Sequence, residues 1–251
     1  MPAVLDALAE QHAELDGLLD DLGDAQWNLP TRCEGWTVAD VVLHLAQTDE
    51  MAVASAQGRY AEQLELLTTG IEAQGDVDRG ADAMVARERG IAPGALLRRW
   101  RTGAADLRNA LAAGDPHERV TWVVGQLSLQ TLTTTRLAEC WIHTGDVAEA
   151  LGVTQEPTDR LEHIARLAWR TLPYAFARDG SALAGPVAFD LRAPSGARWQ
   201  MVPDQEPLTH IEGSGHELCL VAARRVTPDQ TTLGGTGPDV ASVLELVRTY
   251  A

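Results

Sequence analysis

Apolar side chains recur at helical spacing from the first residues of the chain. Val4, Leu5, Leu8, Leu15, Leu18 and Leu19 predict a helix over residues 2–22. The segment "GDAQWNLPTRCEGW" breaks the pattern with Gly23, Pro30 and Gly35 and reads as a loop. In "TVADVVLHLAQTDEMAVASAQG" the pattern resumes. Thr37 is the expected N-cap and Asp40 suits the first turn, while Val38, Val41, Val42, Leu45 and Ala52 make a buried stripe. Residues 60–89 are helical in character but weakly patterned. "APGALLRRWRTGAADLRNALAAGDP" predicts a helix that starts after Pro93 and ends near Gly114 and Pro116. "RVTWVVGQLS" is short, apolar and interrupted by glycine. A long helix carrying "RLAECWIHTGDVAEALG" then runs to Gly152.

After "TQEPTDR" the character changes. Residues 158–177 predict one more helix. "GPVAFDLRAPSGARWQMVPD" alternates around the turn "APSGA" and reads as a hairpin, with "LTHIEG" as a third strand. "SGHELCLVAARR" and "PDVASVLELVRTYA" read as two helices. The expected fold class is therefore α+β. An up-and-down helical bundle over residues 1–155 precedes a smaller α+β domain with a short antiparallel sheet over residues 156–251.

Composition narrows the function. The formal net charge is −16, which repels phosphate backbones and anionic headgroups, so neither nucleic acid nor a membrane surface is an expected partner. A small molecule is the expected partner, and the chain a monomer or homodimer. Cys33, Cys140 and Cys219 are odd in number and far apart, which argues against a disulfide framework. The acidic, amphipathic start lacks the basic and apolar regions of a signal peptide, and no stretch is apolar enough to span a bilayer. A cytoplasmic location is expected.

Chemistry concentrates on the helix ending at Gly152. Leu132, Arg136, Glu139, His143, Asp146 and Ala150 share one stripe, and Leu137, Cys140, Thr144, Val147 and Leu151 share another. The two stripes are neighbours, so the polar one borders the buried face, as suits side chains turned into a cleft. Glu139 and His143 are one turn apart, the spacing at which two groups on a helix can hold one ion. A third ligand has to come from another helix. Among seven histidines, His44 is the best placed, mid-helix at the border of its apolar stripe. His12 lies in an acidic helix, His117 in a turn, and His163, His210 and His216 in the second segment. Spacing alone leaves open a solvated Glu–His pair and a hydrogen-bonded border histidine. Cys140 is expected to be buried, Cys33 to lie in the loop before the ligand helix, and Trp36 and Trp141 to be packing residues. Arg224 and Arg225 are expected to serve at a surface or between domains.

The segments "CEGWTVADVVLHL" and "ECWIHTGD" stand in this order about a hundred residues apart. In both motifs the chain resembles the mycothiol-dependent maleylpyruvate isomerase family, whose pattern is xGW(T/S)xxDxxxHL followed by ExxxHxxD. The resemblance implies a DinB-like four-helix bundle and a C-terminal domain related to sterol-carrier-like folds. It implies a divalent metal, most often zinc, held at the positions of His44, Glu139 and His143. It also implies mycothiol as a thiol cofactor that adds to a conjugated double bond, allows rotation and is eliminated. Asp146 matches the motif acid one turn past His143, as a residue that orients an imidazole or as a cap-region charge. Arg136 and Asp146 are the expected catalytic residues beyond the ligands. Arg136 suits a carboxylate or conjugated carbonyl substrate, and suits at least as well a salt bridge to a surface acid or to Glu139 itself. Asp40 is expected to act structurally near its helix N-terminus. Isomerase or thiol transferase is the first expectation. A metal-dependent hydrolase, lyase or cyclase without a thiol, or a non-catalytic metal- or ligand-binding protein, is the alternative.

Overall fold

The computed structural model describes residues 1–70, 77–123 and 125–249. The chain separates into two compact units, Met1–Gln155 and Glu156–Ala251.

The first unit opens with α1 (Pro2–Leu19), and the following loop holds a single-turn α2 (Asp24–Trp27). Then come α3 (Val38–Ala56), α4 (Tyr60–Thr68), α5 (Val77–Glu88) and α6 (Pro93–Ala113). The weak pattern over residues 60–89 resolves into two short helices, and the junction at residues 71–76 lies outside the described residues. Within "RVTWVVGQLS", β1 (Arg119–Trp122) pairs antiparallel with β2 (Gly125–Ser128). It leads into α7 (Leu129–Leu151).

The four long helices α1, α3, α6 and α7 form a four-helix bundle in which α3 packs on α6 and α7, and α1 on α6 and α7. Leu15, Leu19, Val41, Val42, Leu45, Leu96, Trp100, Cys140 and Val147 meet in its core. Burying large side chains of this kind supplies the main drive for helix association, about 1.5–3 kcal/mol each. Two caps fix the helices that matter most. Thr37 Oγ1 accepts from the Asp40 backbone N–H, and Asp40 Oδ2 accepts from the Thr37 N–H at 2.9 Å, closing a capping box at the start of α3. Ser128 Oγ accepts from the Thr131 N–H at the start of α7, and Gly152 ends that helix in the left-handed conformation (φ 70°) that glycine tolerates best.

In the second unit the expected single helix over 158–177 is instead two, α8 (Leu161–Arg170) and α9 (Leu172–Asp179). Pro173 sits in the first turn of α9, where its missing N–H and ring bulk stop α8 from running on. Strands β3 (Val187–Arg192), β4 (Arg198–Met201), β5 (Thr209–Ser214) and β6 (Gly234–Thr236) form a sheet in the order β4-β3-β5-β6. The expected antiparallel hairpin is β3–β4, and β5–β6 is also antiparallel. The central pair β3–β5 runs parallel, so the sheet is mixed rather than antiparallel throughout. Its buried face carries Phe189, Leu191, Trp199, Met201 and Ile211, against α8 and α10 (Gly215–Ala222). Helix α11 (Val240–Leu246) closes the unit. Among the described residues, no helix is long and apolar enough to cross a membrane.

Candidate metal centre

Helices α3 and α7 bring the two sequence motifs together. His44 Nε2 lies 3.5 Å from Glu139 Oε2, and His143 Nε2 lies 3.7 Å from the same oxygen. The three donor atoms all fall within 4.8 Å of one another. Two ligands each about 2.0–2.1 Å from a tetrahedral zinc ion stand about 3.4 Å apart, close to both measured separations. One carboxylate and two imidazoles form a borderline donor set suited to zinc and its neighbours. Both imidazoles are buried, while the Glu139 side chain keeps 24% of its surface exposed.

His143 is oriented from behind. Its Nδ1 lies 2.9 Å from Asp146 Oδ2, a contact in which Nδ1–H donates to the carboxylate and Nε2 is the nitrogen turned toward Glu139. The Cys33 thiol donates to the same Asp146 oxygen at 3.3 Å. Cys33, His143 and Asp146 thus form a second close group behind the first. Trp36 packs over both imidazoles, with ring centroids 5.0 Å from His44 and 6.4 Å from His143.

The charges are complementary. Burial works to raise the Glu139 pKa, but the His44 hydrogen bond and the charges of His143 and Arg136 outweigh it and hold it at about 2. Burial lowers the His44 pKa, with the His143 and Arg136 charges adding to it against the pull of Glu139. Burial pulls His143 the same way, yet Asp146, Cys33 and Glu139 lift it to about 9. Without an ion the pocket therefore pairs an ionised Glu139 with a protonated His143, and a cation bound at that imidazole would displace its proton.

Arg136 does not reach outward. Its side chain is 2% exposed; its guanidinium pairs with Asp49 Oδ1 at 3.3 Å, donates from Nη2 to Thr48 Oγ1 at 2.8 Å and lies 5.8 Å from the Trp122 ring centroid. The salt bridge it makes is to a buried acid of α3, neither a surface acid nor Glu139.

A family model described as "Mycothiol maleylpyruvate isomerase N-terminal domain" matches residues 8–148. The chain belongs to this family. Two relatives from strains of Mycobacterium tuberculosis, both described as uncharacterized proteins, are each 32% identical over 252 residues, covering 100% of this chain and 95% of the relative. The solved structures of mycothiol-dependent maleylpyruvate isomerase and of a histidine-to-alanine mutant of it share the fold. The TM-score is 0.60 for both, with identities of 20% and 21%, and 94% of each chain is covered.

Both family motifs lie inside the matched segment and supply every residue of the His44–Glu139–His143 convergence. Asp40 has the structural place expected of it, in the α3 capping box, and Arg89 Nε also donates to its Oδ1 at 2.8 Å. His12 lies apart from the centre, its Nδ1 2.7 Å from Arg108 Nη1. Arg224 and Arg225 donate to the backbone carbonyls of Glu245 and Ala223 within the second unit. Sequence reasoning passed over Thr48 and Asp49, although "HLAQTD" places them four and five residues after His44. It also passed over Asp82, whose Oδ1 accepts from Trp36 Nε1–H at 2.8 Å, a contact that no local pattern announces.

Proposed function

We propose that this protein is a divalent-metal-dependent enzyme of the isomerase or thiol transferase type, with mycothiol or a similar low-molecular-weight thiol as co-reactant. Its substrate is a small conjugated carbonyl compound or carboxylate. Family membership supports the class, and one observation carries the metal: His44 Nε2, Glu139 Oε2 and His143 Nε2 converge at zinc-like spacing with Asp146 behind His143. These three residues would hold the ion, which when bound lowers the pKa of a neighbouring thiol or water and polarises a carbonyl.

The remaining work belongs to the chain. Asp146 keeps the proton of His143 on Nδ1 and fixes the ring plane. Arg136, held by Asp49 and Thr48, ties α7 to α3 beside Glu139, and its charge is balanced by Asp49. The exposed edge of Glu139 marks where a small molecule reaches the centre. In this reading Met1–Gln155 is the metal-binding domain and Glu156–Ala251 a sterol-carrier-like second domain, and the boundary is supported by the division of the chain into two compact units after Gln155. The three free cysteines favour a reducing cytoplasm.

Elemental analysis and calorimetry test the proposal. Purified wild type is expected to carry about one zinc per chain and His143→Ala none, with mycothiol binding only to the zinc form. A metal-free wild type, or zinc retained in His143→Ala, refutes the site. Zinc without mycothiol binding leaves the metal enzyme and removes the thiol.

A further inference from the structure

His44 has an unmet requirement. Its Nε2 faces Glu139, while its Nδ1 is buried with no hydrogen-bond partner among the described residues. An imidazole that holds a metal through one nitrogen hands the N–H of the other to a neighbour, and that contact fixes tautomer and ring plane. His143 has such a neighbour in Asp146. What packs beside His44 is Trp36, with centroids 5.0 Å apart and planes inclined at 48°. An indole face carries negative electrostatic potential and accepts N–H groups weakly.

The indole is held at several points. Its Nε1–H donates to Asp82 Oδ1 on α5 at 2.8 Å. Its backbone N–H donates to the Cys33 carbonyl at 3.0 Å, and its carbonyl accepts from the Thr31 N–H at 2.9 Å. Arg89 binds the Gly35 carbonyl and the Asp40 carboxylate, pinning the same loop to the start of α3.

We infer that Trp36 is a positioning residue of the metal centre: its π face takes the His44 Nδ1–H, the place that Asp146 takes at His143, and Asp82 holds the indole there. This rests on the metal reading above. It gives α5, which supplies no ligand, a hold on the centre through one exposed carboxylate.

Zinc affinity by competition with a chromophoric chelator, and the visible spectrum of the cobalt(II)-substituted protein, test it in the full chain. Trp36→Leu is expected to lose about 10- to 100-fold in zinc affinity and to change the cobalt bands. Trp36→Phe, which keeps a π face, retains most of both. Asp82→Ala, a change at an exposed side chain, shifts both readouts in the same direction by less, with an unchanged melting temperature. Wild-type affinity and spectrum in Trp36→Leu overturn the inference, as do equal losses in the Phe and Leu variants, which would mark a packing role alone. If Trp36→Leu does not fold, unchanged affinity and spectrum in Asp82→Ala overturn it. Zinc lost in His143→Ala but kept in Trp36→Leu refutes this inference alone. Zinc kept in His143→Ala refutes the metal centre and this inference with it.

Discussion

Removing either member of the buried Arg136–Asp49 pair is expected to have unequal consequences. Burial raises the Asp49 pKa, and the charge and hydrogen bond of Arg136 pull it back only to about 6, from an ordinary 3.8. That difference corresponds to about 3 kcal/mol at neutral pH, the cost of keeping the carboxylate ionised where it sits. Breaking a buried pair costs about 3–5 kcal/mol. Arg136→Met is expected at the lower end, because Asp49, without its partner, can take up a proton and become neutral. Asp49→Ala is expected at the upper end or above, because a guanidinium cannot shed its charge. The pH dependence separates them further. In Arg136→Met the folded-state pKa of Asp49 rises above its wild-type value of about 6. The folded variant then binds a proton that folded wild type lacks. Its penalty relative to wild type should shrink as pH falls from 8 to 6, by at most about 1.4 kcal/mol per unit, and level off below. The Asp49→Ala penalty should hold nearly constant from pH 8 to 7 and grow by about 0.4 kcal/mol by pH 6, where folded wild type begins to take up its proton. Urea unfolding followed by far-ultraviolet circular dichroism at pH 8, 7 and 6 measures both. Equal penalties, or an Arg136→Met penalty that grows on acidification, would refute the reasoning.

Other outcomes follow from the same geometry. Asp146→Asn should weaken zinc binding by about 10- to 100-fold in chelator competition, since the imidazole loses its carboxylate partner; an unchanged affinity would remove Asp146 from the centre. His12, buried in the core, has its pKa lowered from 6.5 to about 3 by burial and by the charges of Arg108 and Arg136. The unfolded chain therefore takes up this proton first, so the contribution is complete above pH 6.5 and is lost as pH falls. Wild type should lose about 1.4 kcal/mol per unit relative to His12→Gln between pH 6 and 4; parallel pH profiles in urea melts would contradict it. Of the three thiols, Cys33 is half-buried, whereas Cys140 and Cys219 are buried and their pKa values are pushed up by burial. One thiol per native chain should react with an aromatic disulfide reagent and three after denaturation, and fast labelling of Cys33→Ser would be inconsistent with this.

The bundle and the convergence of His44, Glu139 and His143 were legible because both depend on short-range periodicity. Spacings of three and four placed Glu139, His143 and Asp146 on one stripe beside the apolar one, and the same rule put His44 at the border of its helix. What periodicity could not supply was the identity of partners across helices. For Arg136 the stripe left a substrate contact and a salt bridge both open, and only the packing of α3 on α7 shows that Asp49 and Thr48 meet it. The Trp36–Asp82 contact joins residues 46 apart in sequence through a helix with a faint pattern. The break at Thr171 was readable in principle, since Pro173 is incompatible with a continuous helix there. The parallel β3–β5 pairing was not, because alternation fixes which face a residue takes and says nothing of strand direction.

His44 and Glu139 are 95 residues apart in the chain, so a cation bridging them would tie α3 to α7 across more than half of the first unit. By the chain-entropy reasoning used for disulfides, a link over about 100 residues removes about 4–5 kcal/mol of freedom from the unfolded ensemble. During synthesis the order is fixed. A nascent chain grown through α6 presents His44 alone, without either partner. Metal capture would thus come after most of this unit has been made, and starvation for the ion should yield finished but loosely closed bundles rather than stalled early helices.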